Sequence, residues 1–163
     1  MDPVTQELDG GVVITHPHRD EAIVKSTRAV VVILLFASAA IVFIITAGGW
    51  AVLEGMIPID IAFILSYAAL GYYAMRWNRG VLPVAATLAV LLMIFAAAAG
   101  PSWLSQAGGP YTQPAIGASL LGILALALVP LQIALIVFAM RGFKQGWNVE
   151  VEVPASGLHA QGA

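Results

Sequence analysis

Four stretches of this chain are uncharged, or nearly so, over the length a helix needs to cross hydrocarbon. A bilayer core about 30 Å thick takes about 20 apolar residues at about 1.5 Å of rise each. The stretches are residues 29–47 (AVVVILLFASAAIVFIITA), 57–75 (IPIDIAFILSYAALGYYAM), 81–99 (VLPVAATLAVLLMIFAAAA) and 115–140 (AIGASLLGILALALVPLQIALIVFAM). The single charge within them is Asp60, near one end of the second. Backbone groups in lipid must pair within their own segment or in a closed barrel. No short alternation of the barrel type occurs, so helices are expected. The chain as a whole is 60% hydrophobic and 10% charged, whereas a soluble domain carries about a quarter charged residues. Lipid is the solvent this composition suits.

The basic residues orient the spans. All seven fall in three places: Arg19, Lys25 and Arg28 before the first span, Arg76 and Arg79 between the second and third, and Arg141 and Lys144 after the fourth. With four spans these places share one side, and the positive-inside rule makes that side the cytoplasm. The expected architecture is an all-α integral membrane protein with four transmembrane helices in an up-down bundle, both termini inside. Residues 1–28 and 141–163 are then cytoplasmic tails around a domain at 29–140. A bacterial plasma membrane is the expected location. Trp50, Trp77, Trp103 and Trp147 each follow the end of a span, where an amphipathic indole serves as an interfacial anchor. Acidic residues and histidines precede the first run, which is also too long for a signal peptide, so it is expected to be a retained anchor.

Apolar burial does not draw helices together in lipid; close approach at small residues and interhelical hydrogen bonds do. Span four offers such a seam in Ala118, Gly122, Ala125, Val129, Gln132, Ile136 and Ala139, and span three in Ala85, Ala89, Leu92, Ala96 and Ala99. Asp60, Phe63, Tyr67, Gly71 and Ala74 share one face of span two. The short turn 76–80 makes spans two and three antiparallel neighbours. The loop 100–114 is rich in Gly and Pro and uncharged; it is the place for a partner or a lid, and reads first as a plain connector.

Polar residues within the spans are few. Gln132, just past a kink-prone Pro130, suits either an interhelical hydrogen bond or a ligand contact. Asp60 follows Pro58 and suits the positive end of the helix dipole, or with Glu54 and the deeper Tyr67 it draws cations to an outer vestibule. His16, His18 and His159 lie in the tails and lack the companions of a metal site. The residues call for no cofactor. Cysteine is absent, which removes disulfides and thiol redox chemistry, including that of quinone-linked disulfide-forming enzymes. No P-loop pattern occurs. The basic residues are too few and scattered for nucleic acid. Two β-prone runs, 11–15 and 147–153, could pair with each other, extend a partner's sheet, or stay unstructured, since an isolated two-stranded ribbon is marginal in water.

What remains is a non-catalytic accessory or assembly subunit of a larger membrane complex, with other membrane subunits or copies of itself as partners. The alternative is a small oligomeric channel or carrier with a path lined by Asp60, Tyr67 and Gln132.

Overall fold

The computed structural model describes residues 7–8, 12–16, 19–53, 55–106 and 114–154. The order of elements is β1 (Glu7–Leu8), β2 (Val12–Thr15), α1 (Ala22–Gly49), α2 (Ile57–Met75), α3 (Val81–Gln106), α4 (Ala118–Lys144) and β3 (Val151–Pro154). All four helices are long and apolar enough to cross a membrane. Their outward faces are apolar too: Ile33 and Leu65 are each 65% exposed, with Phe43, Ile123 and Val137 close behind. Such continuous exposed hydrophobic area is costly in water and neutral in lipid.

Helix α2 occupies residues 57–75 as expected, while the other three extend beyond their apolar runs. Helix α1 begins at Ala22, because Lys25 and Arg28 mark the exit from hydrocarbon without breaking the helix. Helix α3 passes through Gly100 and Pro101 to Gln106. Pro101 removes one intrahelical hydrogen bond, but packing holds the extra turns, since Trp103 within them is buried. Helix α4 starts at Ala118 rather than 115, because Ile116 N donates to Gly48 O at 3.2 Å and fixes the preceding residues against the end of α1.

The seam residues face inward. Ala85, Ala89, Leu92 and Ala96 of α3, Phe63, Tyr67, Gly71 and Ala74 of α2, and Gly122, Ala125, Gln132 and Ala139 of α4 are buried. Ala118 is half-buried. The most extensive packing is between α3 and α4, followed by α1 with α2 and α1 with α4, whereas α2 and α3 touch sparsely despite their tight turn. Glycine permits the closest α3–α4 approach: a Cβ on Gly122 would lie 2.8 Å from Leu104 Cγ and 3.0 Å from the Gly100 carbonyl oxygen.

The tails add a small sheet to the four helices. The two β-prone runs pair antiparallel, with Val13 opposite Val153 and Thr15 opposite Val151, and β1 adds to β2, giving the sheet order β1-β2-β3. Alternation in the tails therefore forms a ladder once α1 and α4 bring both runs to one end of the helices. The chain from Pro154 onward is expected to be unstructured, but Pro154 itself closes β3 opposite Val12; the residues before 7 and after 154 lie outside the described residues.

Candidate functional site

Three spans meet in a buried polar chain. Tyr67 Oη donates to Gln132 Oε1 at 2.9 Å, Gln132 Nε2 donates to Ser38 Oγ at 2.9 Å, and Ser38 Oγ donates to the Leu34 carbonyl of its own helix at 2.7 Å. All three side chains are essentially inaccessible. At about 1.5 Å per residue, each sits within about 4 Å of its helix's midpoint. Unpaired polar atoms at that depth would each cost several kcal/mol, roughly. Among the described residues no buried side-chain polar atom lacks a partner. Pro130 faces outward, away from this chain. Span one offers Ser38 and Thr46 as polar side chains, and which of them meets Gln132 depends on how α1 is rotated against α4.

Asp60 lies apart from this chain. Its partner is Thr46, whose Oγ is 3.2 Å from Asp60 Oδ2 and 2.8 Å from the Val42 carbonyl oxygen. A hydroxyl has one proton, so Thr46 serves these two acceptors in turn. Asp60 stands in the first turn of α2, where the helix dipole favours negative charge. It also borders a cavity of about 330 Å³ whose wall includes Val42, Leu92, Phe95, Ala96 and Trp103. Thus Tyr67 and Gln132 are joined, and Asp60 belongs to a separate place nearer the other end of the helices. Glu54, its expected companion, lies outside the described residues.

The opposite end is held by cations on aromatic rings. Arg28 Cζ lies 4.0 Å and Arg19 Cζ 5.7 Å from the Trp77 ring centroid, and Arg79 Cζ lies 4.4 Å from that of Phe143. Trp77 meets Trp147 edge to face at 5.8 Å. Arg28 Nη1 donates to the Met75 carbonyl, Arg19 Nε to the Trp147 carbonyl, and Gln145 Nε2 to Thr27 Oγ. These bonds gather the start of α1, the α2–α3 turn and the segment after α4 at one end. Trp77 adopts a φ of 61°, a left-handed conformation uncommon outside glycine and asparagine. Its ring contacts hold it there.

The four tryptophans differ in setting. Trp50 is exposed and Trp77 half-buried, while Trp103 and Trp147 are buried inside the protein. Position along the chain places an indole near an interface, but only packing shows whether it faces lipid or its own helices. His16 Nε2 lies 3.5 Å from Glu150 Oε1, across the sheet. His18 and His159 lie outside the described residues, among which no group of three or more potential metal ligands occurs. No family model, curated protein or solved structure matches this chain.

Proposed function

We propose that this chain is a non-catalytic accessory or assembly subunit of a larger bacterial membrane complex. In this reading its four helices form an up-down bundle in the plasma membrane, with both termini and the β-sheet in the cytoplasm. The lipid bilayer and other membrane subunits, or further copies of the chain, are its partners. One observation carries the reading: Tyr67, Gln132 and Ser38 spend their hydrogen-bonding capacity on one another at mid-depth. Polar residues used this way hold helices in register and leave no reactive group over. The grouping of all seven basic residues supports the orientation.

Purification from native membranes in mild detergent tests the role. The expected result is a stoichiometric membrane partner retained through size exclusion, whose abundance falls when this chain is deleted. A pure homo-oligomer that conducts solutes in liposomes, with flux abolished by Asp60→Asn and Gln132→Leu, would overturn it in favour of the channel or carrier. The cavity beside Asp60 is the observation on that side. Against it, a path through Tyr67 and Gln132 would have to break the bond that joins them.

A further inference from the structure

The wall of the cavity beside Asp60 is apolar apart from the Asp60 carboxylate and Ser102. Among the described residues, no basic side chain lies within ion-pair distance of Asp60. The nearest arginine along its own helix, Arg76, stands sixteen residues on, about 24 Å away at about 1.5 Å per residue. The Thr46 hydroxyl that reaches Asp60 is shared, and the Val42 carbonyl holds the shorter contact with it. Asp60 therefore does not meet the usual condition for a charge withdrawn from water, which is an opposite charge and a full set of donors. The dipole of α2 offsets this in part.

The cavity's shape and lining define what would complete the site. Its volume of about 330 Å³ lies at the small end of the range of small-molecule sites, about 300–1,000 Å³. Phe95 and Trp103 bring aromatic rings to the wall, and such rings attract cations. Phe95 is also 42% exposed on α3, with its ring 6.0 Å from that of Phe63 on α2. A wall this apolar favours ligands that partition into lipid.

The geometry points to this cavity as a binding site for a lipophilic monocation, an ammonium group set against the Asp60 carboxylate with its apolar body among Val42, Leu92, Ala96 and Trp103. The site does not depend on the assembly role, and an accessory subunit could carry it as a regulatory or sequestering pocket.

Two probes of one shape separate charge from size: benzyltriethylammonium and its uncharged carbon isostere, 3-benzyl-3-ethylpentane. Binding of each to the full chain in an uncharged maltoside detergent is read by equilibrium dialysis against empty micelles. The cation is expected to bind at least about ten-fold more tightly than the isostere, a step of about 1.4 kcal/mol. Asp60→Asn should erase that margin and leave isostere binding unchanged. Ala99→Leu, which fills the cavity and spares the carboxylate, should weaken both probes and covers the case in which Asp60→Asn does not fold. Equal binding of the two probes, a cation preference that survives Asp60→Asn, or undiminished binding to Ala99→Leu would each overturn the site.

Discussion

Tyr67 Oη and Gln132 Oε1 stand 2.9 Å apart, joining α2 to α4, two helices that scarcely touch elsewhere. The bond reaches across the interior and, through Gln132 Nε2, continues to Ser38 on α1. A single amide thus ties three helices at the depth where water offers no competing partner.

Gln132→Leu removes both side-chain bonds and leaves the Tyr67 hydroxyl buried without an acceptor. Interhelical hydrogen bonds in membranes are worth about 0.6–2 kcal/mol, and an orphaned buried hydroxyl adds to the loss. The expected destabilisation is about 1–3 kcal/mol in a denaturant titration from mixed micelles, against about 1 kcal/mol for Tyr67→Phe. In the double variant Tyr67→Phe removes the orphaned hydroxyl and is expected to recover part of the loss. Full additivity would show that the bond contributes nothing.

The α3–α4 crossing leaves no room for a side chain at Gly122. A Cβ there would meet a backbone carbonyl at 3.0 Å as well as Leu104, and a carbonyl inside a helix cannot swing aside. Gly122→Leu is expected to cost at least about 1–3 kcal/mol, the usual range for overpacking, measured by the same titration. Ala118→Leu, one turn away and half-buried, should cost much less.

Trp147 is the wedge of the basic end. It is fully buried, its ring packs on Trp77, and it leaves Gly142 no room for a Cβ, which would lie 2.9 Å from Trp147 Cζ2. Trp147→Ala should cost about 3–5 kcal/mol, as truncation of a buried aromatic usually does. It should also speed trypsin cleavage after Lys144 relative to wild type, since the segment beyond α4 loses its attachment. Unchanged cleavage would place that attachment in the β2–β3 ladder alone.

Orientation is open to a direct test. Reporter fusions in the turn 76–80 are expected to report the cytoplasm, and fusions at Gly117 the opposite side. Cysteines introduced at the same two positions should label in the same pattern with an impermeant maleimide. The reverse pattern would discard the proposed topology.

The sequence by itself determined that four segments belong in hydrocarbon, where they begin and end to within a few turns, and which faces turn inward. Transfer from water to lipid is a property of each segment alone, and the small-residue seams follow from helical spacing. The alternation of the two tail runs marked them as β-prone, and the tertiary structure chose pairing with each other over a partner's sheet edge. Tertiary structure decided the rest. It selected Ser38 over other hydroxyls as the partner of Gln132, separated Asp60 from Tyr67, carried α3 past Pro101, and buried Trp103 and Trp147 inside the protein. Each of these depends on the rotation and offset of one helix against another. Those are set by many close contacts acting together, which no single segment encodes.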